Sequence, residues 1–289
     1  MKQINVSWWA WIYLFFLSLV WGSSFILIKK ALIGLSPIHV ALLRVIITFI
    51  AFIPFLLVHF VRIKARQWPY VALVGLIGNG FPAILYATAQ TKVLSATAGI
   101  LNALTPIFTL VLGVMIFKSR MRGHQVLGTA VGFIGAALLF VRDLSLDSFN
   151  SFTLLIVLAT MCYGMSVNIV QHRLQDLKPL TIASGSFLFV GLICSGWLLV
   201  DPIPPLSDQV VLTSVAAVTV LSLFSTFLAT MAFYRLVQIS DALFASSVSY
   251  IAPVVALLWG LADGELLDFR HVMALVMVLL GVFLIRFKV

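Results

Sequence analysis

The chain has 289 residues, of which 62% are hydrophobic and only 9% charged, with a mean hydropathy of +1.16. Soluble domains carry roughly 25% charged residues, so a water-solvated core is excluded and lipid must be the solvent for most of these side chains. The net charge of +9 does not mark a nucleic-acid binder, because Lys and Arg gather between apolar runs, as at Arg62, Lys64 and Arg66 or Lys118, Arg120 and Arg122, which is the positive-inside pattern.

Ten apolar runs follow one another, near 8–29, 39–61, 69–91, 96–117, 124–141, 152–172, 180–200, 210–234, 242–262 and 271–286. At roughly 20 residues per spanning helix, they leave only short loops and no room for a separate catalytic domain. The first run is too long for a signal-peptide core and lacks a following small-x-small site, so it is expected to stay as a span, anchored by Trp8, Trp9 and Trp11 at the interface. A polar link, 142–151, separates the fifth and sixth runs. With the N-terminus inside, twelve Lys and Arg fall on the inner side and five on the outer. That bias predicts both termini in the cytoplasm. Cys162 and Cys194 each lie inside an apolar run and read as small core residues.

The two halves repeat. Trp21-Gly22-Ser23-Ser24-Phe25 is echoed 142 residues later by Tyr163-Gly164-Met165-Ser166-Val167, and further on an offset of 147 brings Ala98 onto Ala245, Pro106 onto Pro253 and His124 onto His271. Each unit, 8–141 and 152–286, holds five spans. Because five is odd, the second unit must be inverted relative to the first. The fold expected is therefore an all-α integral membrane protein of ten transmembrane helices, built as two inverted-topology five-helix repeats.

In the centre of the fourth run lies Leu101-Asn102-Ala103-Leu104-Thr105-Pro106, and in the ninth Val248-Ser249-Tyr250-Ile251-Ala252-Pro253. Proline cannot donate to the helix ladder and pushes on the carbonyl four residues back. Each stretch should thus kink, freeing the carbonyls of Asn102 and Ser249 beside polar side chains, and the two kinks read as one site built twice. Polar stripes at helical spacing mark faces turned away from lipid: Asn79, Ala83, Tyr86 and Gln90; Ala98, Asn102, Thr105 and Thr109; Thr160, Gly164, Asn168 and Gln171; Ser246, Ser249 and Pro253. They would line a substrate cavity or make ordinary helix–helix hydrogen bonds. Tyr250 joins the candidates beside Ser249. Trp21 and Tyr163 occupy matching positions and could cap the cavity at its two ends or face lipid, with Gly22 and Gly164 beside them as close-packing points.

Arg44 is the one charge well inside a run, some five residues or roughly 7–8 Å below the outer surface. It could snorkel to that surface or act in substrate attraction or gating. Gly128-x-x-x-Gly132 reads as a helix-packing motif, used within the monomer in preference to dimerisation. No Asp or Glu lies within any run and all five histidines sit at or near run ends, so a carboxylate proton relay at midplane has no support. Walker, HExxH and GxSxG sequences are absent. No catalytic residue, metal site or cofactor is therefore assigned.

Val20-Trp21-Gly22-Ser23-Ser24-Phe25, Leu35-Ser36-Pro37, Leu43-Arg44 and the Asn102–Pro106 stretch, with Pro253 and Gly264-Glu265 in the second copy, resemble the EamA-type permeases of the drug/metabolite transporter superfamily. One departure is Phe117-Lys118, where that family's pattern usually ends in Gly-Glu. The resemblance implies a secondary transporter in a bacterial cytoplasmic membrane that exports small metabolites. A cavity with amides, hydroxyls and aromatics but no fixed midplane charge suits a neutral or zwitterionic, amino-acid-like solute. Its partners would be that solute and the bilayer, with a monomer expected. Alternatives are export of drugs or lipid-like solutes, or a membrane enzyme for which no catalytic constellation is found.

Overall fold

The computed structural model describes residues 8–59, 62–93, 95–138, 151–262 and 269–286; the link near 142–150 and the Gly264-Glu265 pair fall outside them. Every regular element among the described residues is helical. The helices are α1 (Trp8–Gly22), α2 (Ser24–Ala31), α3 (Pro37–His59), α4 (Trp68–Gly75), α5 (Phe81–Ala89), α6 (Ser95–Asn102), α7 (Thr105–Met115) and α8 (Gly123–Leu138). They continue as α9 (Thr153–Arg173), α10 (Pro179–Val200), α11 (Gln209–Val220), α12 (Ala229–Ile239), α13 (Ala242–Ser246), α14 (Val248–Ala262) and α15 (Phe269–Arg286).

Six helical stretches among the described residues are long and apolar enough to cross a bilayer: Trp8–Ala31, Pro37–Val58, Ala65–Ala89, Thr153–Arg173, Pro179–Val200 and Gln209–Ile239. Four apolar helices are shorter, Thr105–Met115, Gly123–Leu138, Ala242–Val255 and Met273–Ile285. Large apolar side chains such as Leu57 and Leu199 point outward at 76% and 87% exposure, an arrangement water would penalise and lipid does not. Trp8 and Trp9 are exposed at the start of α1, whereas Trp11 turns inward and meets Phe244 edge-on at 5.1 Å.

Proline and aspartate set several helix starts. Proline occupies the first turn of α7 and α10, where its missing N–H costs nothing, whereas Pro82 follows the π segment inside the continuous stretch Ala65–Ala89. Asp208 and Asp241 cap α11 and α13 by accepting from the Val210 and Phe244 amides at 2.8 Å. Two long helical stretches carry a π segment, Leu76–Gly80 between α4 and α5 and Leu221–Leu228 between α11 and α12. Shifted by 147, residues 76–80 fall on 223–227, inside the second segment.

Glycine decides which helices can touch. A Cβ on Gly22 would stand 2.6 Å from the Ala252 carbonyl oxygen and 2.7 Å from Val255 Cβ; one on Gly164 would stand 2.8 Å from the Thr109 amide, beside Phe108. These two contacts match through the repeat, since Gly22 and Gly164 differ by 142 and Phe108 and Val255 by 147. So α1 beds on α14, and α9 on α7. The Gly128-x-x-x-Gly132 motif serves packing within the chain: Gly128 abuts the backbone of Gly281 and Ile285, and Gly132 abuts the Tyr250 ring.

Candidate functional site

A cavity of about 120 Å³ lies where the helices of the two halves meet. That is several times the ~10–15 Å³ one water needs by the same measure. Of the residues singled out in the sequence, Trp21, Arg44, Asn79, Tyr86, Asn102, Tyr163 and Ser249 line it. The Tyr86 hydroxyl donates to Asn102 Oδ1 at 2.7 Å, and the Tyr86 ring stacks on Tyr163 with centroids 6.1 Å apart. On the facing wall the Trp21 indole N–H donates to the Ser225 carbonyl at 2.9 Å, and its ring lies 5.1 Å from Phe233.

Arg44 does not snorkel. Its Nε donates to Thr226 Oγ1 at 2.9 Å across the cavity wall. The Thr226 hydroxyl in turn donates to the Leu221 carbonyl, five residues back, at 3.3 Å, the spacing of a π-helix. The π segment thus aims the Thr226 lone pairs at the guanidinium. Among the described residues no carboxylate pairs with Arg44; the contact of His39 with Asp201 at 3.4 Å lies elsewhere.

Four candidates sit off the cavity wall. Asn168 is buried and donates through Nδ2 to the carbonyls of Thr109 at 2.9 Å and Gly164 at 2.8 Å, joining α9 to α7. The Tyr250 hydroxyl is spent on the Thr129 carbonyl at 2.9 Å, under α8. Neither proline reaches the cavity, and the two are not equivalent. Pro106 starts a new helix after a break at Ala103 and Leu104, whereas Pro253 lies inside α14, six residues past the break at Ser247. The Asn102 carbonyl, expected to be free, accepts from Thr105 Oγ1 at 2.8 Å. The break in the ninth run is knitted by hydroxyls, Ser246 to Leu243, Ser247 to Phe244 and Ser249 to Ser246, at 2.6–2.8 Å. Pro54, like Pro253, lies inside its helix, α3.

Sequence reasoning missed the eighth run, which supplies Ser225, Thr226, Thr230, Phe233 and Tyr234, and the small polar pair Ser24 and Ser166. The repeat contained the signal. Asn79 maps onto Thr226 and Tyr86 onto Phe233 at the 147 offset, and Ser24 onto Ser166 at 142.

Comparison with known proteins agrees with this architecture. The model of the EamA-like transporter family matches twice, over residues 8–141 and 150–287. An uncharacterized transporter of Archaeoglobus fulgidus is 27% identical over 276 residues, covering 95% of this chain and 98% of the relative. A probable amino-acid metabolite efflux pump of Salmonella typhimurium is 26% identical over 166 residues, covering 55% and 52% of the two chains. A solved crystal structure superposes with a TM-score of 0.73 at 18% identity, covering 95% of each chain.

Proposed function

The chain belongs to the EamA-like transporter family, and on that premise we propose that this membrane transporter exports small neutral or zwitterionic, amino-acid-like metabolites across the bacterial cytoplasmic membrane by alternating access. The observation that carries the reading is the cavity wall. Trp21 with Tyr163, Ser24 with Ser166, Asn79 with Thr226, Tyr86 with Phe233 and Asn102 with Ser249 all line it, and each pair is related by the repeat offsets. A site assembled from matched positions of two copies is what an inverted-repeat transporter needs to expose one midplane site to either side. The Salmonella efflux pump supports both export and the solute class.

The same reading makes residues 8–141 and 152–286 two inverted five-helix units, ten spans in all. The shorter helices α7, α8, α14 and α15 complete four of the crossings. The twelve-to-five bias of Lys and Arg supports cytoplasmic termini, and the chain acts as a monomer. Proteoliposomes loaded with a mixture of labelled amino acids should lose at least one of them faster than protein-free vesicles. Equal loss of every solute would overturn the transport reading. Cysteine labelling from outside should modify the 142–151 link but not the Lys118–Arg122 loop; the reverse pattern would overturn the topology.

A further inference from the structure

The cavity is matched through the repeat in shape and in most side chains, but not in charge. Arg44 maps onto Ser186 at the 142 offset. Ser186 is wholly buried and donates to the Ala183 carbonyl at 2.9 Å. Its backbone is covered by Gly75, where a Cβ would come within 2.1 Å of the Ser186 carbonyl oxygen. One half therefore presents a cation to the cavity and the other, at the matching position, presents none.

That cation is held but not neutralised. Thr226 takes the Nε proton, and the guanidinium makes no other hydrogen bond among the described residues. Its terminal nitrogens keep four N–H donors in a planar fork. A charge held at membrane depth without a counter-ion is costly, and an anion seated in the fork lowers that cost. A carboxylate fits, because the fork matches its two oxygens. Among the described residues the cavity wall has no carboxylate to pair with an ammonium. All nine Asp and Glu lie outside the apolar runs, and the described ones, Asp176, Asp201, Asp208 and Asp241, stand at helix ends or in loops. An amine would find aromatic faces, hydroxyls and amide oxygens, which can face it or accept its protons but carry no counter-charge to match what the guanidinium offers an acid.

We propose that Arg44, positioned by Thr226, is the carboxylate-binding residue of the cavity, and that the protein recognises its solute by the carboxylate and not by the amine. The inference rests on the transport reading above and sharpens it. The solute is oriented with its acid group toward α3 and its remainder along the Tyr86–Tyr163 and Trp21–Phe233 pairs. Solutes lacking the amine are accepted, and solutes lacking the acid are refused.

The test compares three probes of nearly equal shape: L-leucine, 4-methyl-2-oxopentanoate and L-leucinamide, with L-phenylalanine, phenylpyruvate and L-phenylalaninamide as a second set. Dissociation constants are read from thermal shift of purified protein, and release of each probe from loaded proteoliposomes. In at least one set the amino acid and the oxo acid should bind within about threefold of each other, and the amide about tenfold or more weaker. R44Q should bring acid and amide to within about twofold, R44K should restore part of the preference, and T226V should weaken acid binding about threefold without affecting the amide. Should R44Q not fold, the acid-to-amide ratio of T226V and R44K decides. Amides binding as well as acids, a preference retained in R44Q or unmoved by T226V and R44K, or no binding of either acid in both sets would each overturn the proposal. Vesicles releasing acid and amide at equal rates would sink the carboxylate site and leave the transporter standing. Vesicles releasing no probe or labelled amino acid above the protein-free rate would sink the transporter itself.

Discussion

The two aromatic walls of the cavity are the same device with different chemistry. On one, Tyr86 stacks on Tyr163 and reaches Asn102 through its hydroxyl; on the other, Phe233 faces Trp21 and has no hydroxyl to offer, and Ser249 donates to the Ser246 carbonyl. Tyr86 and Phe233 occupy matching positions, as do Asn102 and Ser249. Duplication preserved the ring, which sets the shape of the wall, while the polar atoms diverged. A transporter with a symmetric scaffold can in this way hold its solute in one orientation.

The comparison can be broken first at its supports. Gly22→Ala and Gly164→Ala each place a Cβ within 3 Å of a neighbouring backbone atom. Each should cost about 1–3 kcal/mol as an overpacked contact, read as a fall in Tm in detergent. If the contacts are equivalent, the two losses should agree within about 1 kcal/mol; a loss confined to one glycine would show that the walls are held differently.

The next largest effect lies in the polar divergence. Tyr86→Phe makes the first wall like the second and removes the hydrogen bond to Asn102. About 1 kcal/mol of solute affinity should be lost, roughly a fivefold rise in Kd, while Phe233→Leu should disturb the ring contact with Trp21 and leave the Asn102 hydrogen bond intact. Equal Kd values for Tyr86→Phe and the parent would assign that hydroxyl to folding alone.

A smaller effect separates the two prolines. Pro106 stands in the first turn of α7, where an alanine N–H has no helical partner to gain, so Pro106→Ala should change flux by less than about twofold. Pro253 stands inside α14, where alanine restores a bond to the Ser249 carbonyl and stiffens the helix. Pro253→Ala should slow flux about threefold with Kd unchanged. Counterflow rates in proteoliposomes distinguish the two, and a larger effect at Pro106 would overturn this ranking of the two prolines.

The smallest effect is expected at Lys118, where the first copy departs from the family pattern. Lys118 has a φ of 53°, and the Ser119 amide closes back on the Gly113 carbonyl at 3.0 Å, a left-handed helix end that favours glycine. Lys118→Gly should raise stability by about 0.5–1 kcal/mol, seen as a small increase in Tm.

Residue order alone is enough for the solvent, the helical class, the repeat and much of the cavity wall. Apolar length and charge placement are properties of the chain that lipid reads directly, and the repeat offsets are written in residue identities. Asn102, Tyr86, Tyr163, Trp21 and Arg44 were legible because a polar or charged group in an apolar run needs a reason to be there. Which reason applies depends on what each group meets once the helices pack. Asn168 and Tyr250 carry the same polar signal but spend it on the Thr109 and Thr129 carbonyls of neighbouring helices, and no periodicity distinguishes a cavity face from a helix contact. Arg44 turned to Thr226 rather than to the surface because a π segment, invisible in the local sequence, rotated that hydroxyl into reach. The prolines were read as twins because their positions match, but a helix breaks where its backbone carbonyls find other partners. Thr105 supplies one beside Pro106, and the serines before Pro253 move the second break six residues upstream.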